Sequence, residues 1–138
     1  MGKEMVDVTV FVETEVNPTE DVEKVQTAVT NVLGNTAITL KVSQTGSTLI
    51  AEAKGQDSLV KLRNMLRNDR VRDAARRVLF KSIRGDEIRF FLNKQVAFAG
   101  HISFSEETAE SPLGPIRFTI KTEDPPQLVE WLAEKTGK

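Results

Sequence analysis

Apolar and polar residues alternate in five separate stretches of the sequence, and this feature constrains the fold more than any other. The first stretch, VDVTVFV at 6–12, places Val at every second position. A period of two is typical of a strand with one buried and one open face. The same alternation recurs at 38–42, 49–53, 88–92 and 116–120. These stretches predict five half-buried strands.

The segment after the first strand changes to helical spacing. Asn17 can cap a helix, Pro18 suits its first position and Glu20 follows three residues after the cap. Gly34 is a typical helix terminator. The apolar positions of this predicted helix are Val22, Val25, Val29 and Val32.

Two further helices are predicted in the middle of the chain. Asp57 or Ser58 can cap the first of them, which carries leucines at helical spacing. The pattern breaks around Asn68–Asp69 and continues as a second helix over 71–79. A last helix is predicted after Asp124, which two prolines follow.

Two hairpins connect the remaining strands. The turn sequence QTGS joins the second and third alternating stretches. The second hairpin joins the fourth stretch to an answering strand over 96–104, with Asn93 and Lys94 as its turn. The fifth stretch is the last strand. It follows a polar loop at 105–115, which is expected to be the most flexible segment.

The predicted element order is β-α-β-β-α-α-β-β-β-α. Adjacent hairpins favour a mainly antiparallel sheet with helices packed against it, so the predicted fold class is α+β. The length of 138 residues suits one compact domain spanning 1–138.

The net charge of −1 conceals a strong internal asymmetry. From Lys61 to Lys94 the chain has 11 basic and 4 acidic residues, a net charge of +7. The remainder has 8 basic and 16 acidic residues, a net charge of −8. A basic segment on an acidic body is typical of a protein with a polyanionic partner.

Most of this positive charge lies in RNDRVRDAARRVLFKSIR, at 67–84. Projecting the second middle helix at about 100° per residue, with Val71 at the centre of the apolar face, divides its basic residues between two edges. Arg72 and Arg76 lie near one edge. The other edge carries Arg70, Arg77, Lys81 and Arg84.

Two interpretations of this helix stay open. Acids of the same chain can neutralise it; the candidates are Glu106, Glu107 and Glu110, or Glu20, Asp21 and Glu23. Alternatively, the arginines bind phosphate oxygens, which their planar forks match bidentately. Phe80 falls among the arginines, and packing under a neighbouring loop is favoured over stacking on an unpaired base.

Several function classes lack their signature residues. The chain has no Cys, no GxxxxGK[ST], GxGxxG or HExxH motif, and a single histidine, His101. We therefore expect no enzymatic activity, no metal site and no cofactor. No apolar run has the length of about 20 residues that spans a bilayer, and the start of the chain lacks a secretory signal pattern. A cytoplasmic location without membrane contact is expected.

Several stretches together resemble a known family. They are NPTEDVEKVQTAV, LRNMLRNDRVRDAARRVL, FFLNKQVAFAG, ESPLGPI and LVEWLAEKTG. As a combination, this set is similar to an uncharacterised family of small archaeal proteins that are labelled as RNA-binding. The resemblance implies an α+β fold similar to that of the L-five group of large-subunit ribosomal proteins. The matching positions with polar chemistry are Arg72, Arg76, Arg77, Asn93, Lys94 and Gln95.

The leading hypothesis is a non-enzymatic RNA-binding protein that contacts the phosphate backbone through its arginine-rich helix. Recognition of shape or backbone is expected, because the chain has no Tyr and the pattern shows no exposed aromatic pair on the sheet. The alternative is a protein-interaction or homo-oligomeric subunit whose basic helix docks on an acidic surface. The candidate RNA-binding residues are Arg67, Arg70, Arg72, Arg76, Arg77, Lys81, Arg84, Arg89, Asn93, Lys94 and Gln95.

Overall fold

An antiparallel sheet organises the computed structural model, which describes residues 7–34, 38–44, 46–106 and 114–135. Val6 and positions 107–113 of the predicted loop lie outside these ranges. The strands are β1 (Thr9–Val16), β2 (Ile38–Ser43), β3 (Gly46–Lys54), β4 (Ile83–Arg84), β5 (Glu87–Asn93), β6 (Phe104–Ser105) and β7 (Pro115–Lys121). The helices are α1 (Val22–Leu33), α2 (Val60–Asn68), α3 (Arg72–Lys81), α4 (Lys94–Phe98) and α5 (Pro125–Leu132), with a 3-10 turn at Gln56–Leu59.

The strand order does not follow the sequence. The order across the sheet is β2-β3-β1-β7-β5-β4, and β6 also pairs with β5. The last strand, β7, is thus inserted between β1 and β5. Phe118 on β7 lies opposite Val12 on one side and Phe90 on the other. All pairs among the described strands are antiparallel, which confirms the predicted α+β class.

The helices cover one face of this sheet. Inward side chains of the strands, such as Val10, Ile88 and Ile120, belong to the same core cluster as Val29 of α1 and Leu128 of α5. Buried residues of α2, α3 and α4 join this cluster as well. The alternation in the sequence therefore identified the buried side of β1, β3, β5 and β7 correctly, but not that of the edge strand β2, whose Leu40 and Val42 are exposed.

The start of α1 differs from the prediction. Asp21, and not Asn17, caps the helix, and its carboxylate accepts a hydrogen bond from the Glu23 amide at 2.9 Å. Asn17 instead donates from its backbone amide to Glu20 Oε1, also at 2.9 Å, within a turn that precedes the helix. The Asn–Glu pair has capping-box chemistry, but it closes a separate turn. The predicted termination at Gly34 is confirmed.

The second predicted hairpin is wrong. The strand at 88–92 exists within β5, but Lys94–Phe98 forms the short helix α4 instead of an answering strand. Asn93 caps this helix by accepting a hydrogen bond from the Val96 amide at 2.9 Å. The chain then returns to β5 through the two-residue strand Phe104–Ser105, and the Ser103 carbonyl accepts a hydrogen bond from the Asn93 amide at 2.8 Å.

The predicted break between α2 and α3 is confirmed, and Arg70 within it adopts a positive φ of 58°. The predicted N-terminal caps of α2 are not confirmed. Neither Asp57 nor Ser58 caps the helix, because both belong to the 3-10 turn that precedes it. The Ser58 hydroxyl donates to the Gly55 carbonyl instead.

Candidate nucleic-acid interface

One edge of α3 docks on the acidic side of α5. Both terminal nitrogens of Arg76 donate to the Glu130 carboxylate, at 2.8 and 2.6 Å, and Nη1 also donates to the Ala133 carbonyl at 3.2 Å. The hydrogen bonding between the Arg76 and Glu130 side chains raises the pKa of Arg76 and lowers the pKa of Glu130. Arg72 lies 3.6 Å from the carboxylate of Glu134. This edge therefore stabilises the fold.

Two arginines of α2 converge on the same helix. Arg63 donates to the Trp131 carbonyl at 2.8 Å and to Glu134 at 3.1 Å, and its guanidinium lies over the Trp131 ring. Arg67 is 3.9 Å from Glu134 and remains half exposed. The first interpretation of the basic segment, neutralisation by acids of the same chain, is thus correct for these arginines.

The acids themselves are not those expected. Glu130 of α5 and Glu134, two residues past the end of that helix, provide the contacts, whereas the prediction named acids at 20–23 or 106–110. Glu20 is engaged elsewhere, and Glu107 and Glu110 lie outside the described residues.

The other edge of α3 is exposed. Within the described ranges, no ion pair is formed by Arg70, Arg77 or Lys81. Arg84 is also exposed, and among the described residues it donates only to the backbone carbonyls of Lys81 and Ile83. Arg89 on β5 is about half exposed and lies 3.6 Å from Glu87. We name Arg70, Arg77, Lys81, Arg84 and Arg89 the basic strip.

A surface groove connects the end of α3 to the sheet. It is lined by Lys81, Ser82, Arg84, Glu87, Arg89 and Phe91. The basic strip therefore continues from the helix onto the strand β5, although these residues are separated by a turn in sequence.

Phe80 packs as the favoured interpretation expected. Its ring is partly buried against the core, and the Arg76 guanidinium lies 5.1 Å from the ring centroid. Because Arg76 is itself held by Glu130, Phe80 belongs to the docked edge of α3 and is not part of the basic strip.

The prediction that 93–95 form an exposed polar turn was wrong for Lys94. This side chain is 4% exposed, and its ammonium donates to the Glu15 carbonyl at 2.6 Å and to Glu20 Oε1 at 3.0 Å. Asn93 serves as the cap of α4. Gln95 is exposed, but it lies on α4 and not on a hairpin tip.

The outer face of the sheet carries two aromatic side chains. Phe11 on β1 is 36% exposed, and Phe91 on β5 is partly exposed on the same face. The Arg117 guanidinium lies 5.8 Å from the centroid of the Phe91 ring. One exposed and one partly exposed aromatic side chain therefore share this face of the sheet with basic side chains.

His101 is exposed, in the loop between α4 and β6. Its Nδ1 lies 3.1 Å from Oδ1 of Asp69, whose other oxygen accepts from the Ile102 amide at 2.8 Å. These contacts tie the break between α2 and α3 to the approach of β6.

The described residues contain no cluster of three or more His, Asp or Glu side chains suited to a metal ion. In the same part of the chain, no helix is long and apolar enough to cross a membrane.

Comparison with known proteins places this geometry in a family. A family model described as RNA binding matches residues 9–122, which is most of the chain. A UPF0201 protein from Sulfolobus acidocaldarius is 46% identical over 129 residues, covering 94% of this chain and 89% of the relative. The chain belongs to the UPF0201 family. A UPF0201 protein from Sulfurisphaera tokodaii is 44% identical, again over 94% of this chain and 89% of the relative.

A solved structure of the family has the same architecture. The crystal structure of the UPF0201 protein from Methanococcus jannaschii is 30% identical and superposes with a TM-score of 0.82, covering 91% of this chain and 98% of that one. The sequence resemblance to an uncharacterised archaeal family that is labelled as RNA-binding is therefore confirmed.

Proposed function

We propose that the protein binds RNA through the basic strip, with the phosphate backbone as its main contact. The observation that carries this proposal is the division of α3 into two edges. Arg76 pairs with Glu130 of α5 and Arg72 with Glu134 just after it, whereas Arg77 and Lys81 face solvent and form no ion pair with another described residue. The description of the family model as RNA binding supports the same conclusion.

The basic strip suits a phosphate backbone for two physical reasons. Arginine forks bind phosphate oxygens bidentately, and each neutralised phosphate releases counterions. Like charges at i and i+4, such as Arg77 and Lys81, destabilise an isolated helix slightly. A polyanion that lies along this edge relieves their repulsion, so RNA and the helix stabilise each other.

The proposal narrows the earlier list of candidates. It retains Arg70, Arg77, Lys81, Arg84 and Arg89, which are exposed. It omits Arg72 and Arg76, because their paired side chains are only 26% and 21% exposed, against 54% for Arg89. Lys94 is omitted because it is buried. We further propose that the protein has no enzymatic activity, and that its fold is related to the L-five group of ribosomal proteins.

The test is RNA binding across a salt series by the double variant Arg77→Ala/Lys81→Ala. Both side chains are exposed, so we expect the variant to fold normally. The slope of log K against log salt should decrease in magnitude by about 1.5, because each phosphate contact contributes about 0.7 to 0.9.

A matched control is Lys24→Ala/Lys41→Ala. It removes the same charge from exposed positions on α1 and β2, away from the basic strip. The control should keep most of the wild-type slope. An equal decrease of the slope in both double variants would show that only the net charge of the protein matters. An unchanged slope in Arg77→Ala/Lys81→Ala would exclude the basic strip as the RNA-binding surface.

A second candidate function, self-association, is favoured by the edge strand β2. This strand pairs with β3 only among the described strands, and it exposes Leu40 and Val42, the latter 74% exposed. An apolar edge strand is a template for pairing with another chain. Sedimentation of wild type and Val42→Lys tests this candidate, since a dimer formed through β2 should dissociate in the variant.

A further inference from the structure

The outer face of the sheet is left open by the helices. On the strands β1, β5 and β7, every second residue is buried and the residues between them are partly or fully exposed. All five helices bury their apolar residues in the core on the opposite side. Within the described ranges, the outer face is therefore a free surface.

Phe91 is the most favourably placed aromatic residue on this surface. It lies on β5 opposite Arg117, whose guanidinium is 5.8 Å from its ring, and two positions from Arg89. The groove that contains Lys81 and Arg84 of the basic strip also contains Phe91. An RNA backbone on the strip would therefore pass directly beside this ring.

The charge of the outer face indicates what binds there. Its β4-β5-β7 half carries one acid, Glu87, and four basic residues, which are Arg84, Arg89, Arg117 and Lys121. Glu87 lies 3.6 Å from Arg89 and 3.7 Å from Lys121, and Arg117 lies 3.4 Å from Glu13 of β1, so a phosphate would have to compete with these exposed pairs. The half formed by β1 and β3 carries three acids, Glu13, Glu15 and Glu52, and one basic residue, Lys54. A polyanion is attracted to the first half and repelled by the second, so charge directs an RNA strand toward Phe91.

Phe11 provides a contrast within the same face. It lies on β1 opposite Glu52 on one side and Thr119 on the other. The register and the ordinary strand spacing place its Cα about 12 Å from that of Phe91, across β7. Its acidic surroundings make it a weaker platform for a nucleotide.

From this arrangement, and given the proposed function, we infer that the ligand includes an unpaired RNA segment. Phe91 stacks on an exposed base, Arg117 and Arg89 hold the adjacent phosphates, and the rest of the RNA follows the basic strip. Aromatic residues on open sheets bind unpaired bases in this manner, and the stack tolerates any base because every base has a flat face.

The experiment compares Phe91→Leu, Phe91→Tyr and Phe11→Leu in binding a single-stranded RNA that carries 2-aminopurine, and a duplex RNA without unpaired bases. Phe91→Leu keeps an apolar strand residue but removes the ring. We expect it to weaken single-strand binding by at least about fivefold, the smaller end of the range for one stacked base. Phe91→Tyr should retain binding, and Phe11→Leu should have the smaller effect.

The fluorescence of 2-aminopurine distinguishes stacking from structural support. It should change when wild type or Phe91→Tyr binds, and not when Phe91→Leu binds. Suppose that wild type binds single-stranded RNA, that the slope of log K against log salt decreases in Arg77→Ala/Lys81→Ala, and that Phe91→Leu binds as well as wild type. In that case this inference fails and the proposed function stands. If wild type binds neither RNA, the proposed function fails. A dimer that dissociates on Phe91→Leu substitution would assign the face to a second copy of the chain.

Discussion

The ion pair between Lys94 and Glu20 gives the sharpest test of the structure, because sequence reasoning assigned Lys94 the opposite role. The two side chains are 4% and 8% exposed. The Lys94 ammonium donates to both carboxylate oxygens of Glu20, at 3.0 and 3.2 Å, and to the Glu15 carbonyl. The pair thus connects the start of α4 to the turn between β1 and α1.

Replacing Lys94 by Met keeps the length of the side chain and removes the charge. Glu20 is then left as a buried carboxylate without its cation, and breaking a buried pair in this way costs about 3–5 kcal/mol. The Asn17 backbone amide and side-chain amide each still donate to Glu20 at 2.9 Å. We therefore expect a loss near the lower limit, about 3 kcal/mol.

Urea denaturation followed by Trp131 fluorescence and circular dichroism measures this loss. With an unchanged m-value of about 1–3 kcal/mol/M, the midpoint should fall by about 1–3 M. The folded Lys94→Met protein should bind RNA like wild type. A variant with weaker RNA binding and wild-type stability would refute the structural assignment and restore the exposed turn.

A double-mutant cycle completes the test. In Lys94→Met/Glu20→Gln no unpaired charge is buried, so the double variant should be less destabilised than the sum of its two single variants. Additive losses would show that the two side chains do not interact, which would contradict their 3.0 Å contact.

Two further predictions concern the contacts around α3. The hydrogen bond from Arg76 lowers the pKa of Glu130, so the contribution of this pair to stability is present above the ordinary value of 4.5 and is lost as the pH falls through the lowered pKa. The difference in Tm between wild type and Glu130→Gln should therefore be larger at pH 7 than at pH 3. An equal difference at the two pH values would contradict the pairing. Asp69→Ala removes the acceptor of the Ile102 amide and should cost about 1–3 kcal/mol, with faster hydrogen exchange at Ile102; a protected amide in the variant would show that another group accepts this bond.

The sequence was sufficient to predict those strands and helices whose apolar residues recur with a clear period. Alternation identified the inward residues of β1, β5 and β7, and the break at Asn68–Asp69 was visible from the spacing. The helix α4 was missed because five residues are too few to show a helical period, and Val96 and Phe98 imitate a strand. Its stability also depends on a distant contact, because Asn31 of α1 donates to the Ala97 carbonyl.

The two edges of α3 illustrate which properties of a site can be predicted from the sequence and which cannot. The projection separated Arg72 and Arg76 from Arg77 and Lys81 correctly, because helix geometry is local. It did not indicate which edge is free, since that depends on α5, which begins more than 40 residues later. Glu130 of α5 and Glu134 just after it are the decisive partners, and their position follows from the path of β7 through the sheet.

The same strand explains why the aromatic surface was not predicted. The alternation assigns Phe11 and Phe91 to the outer face separately, but it does not say which strands are neighbours. Because β7 is inserted between β1 and β5, the two rings share one surface and Arg117 lies beside Phe91. Arg117 and Lys121 lie outside the basic segment of 61–94, so its net charge of +7 omits them. The positive surface is therefore a product of strand order as much as of the arginine-rich helix, and variants confined to that helix would test only part of it.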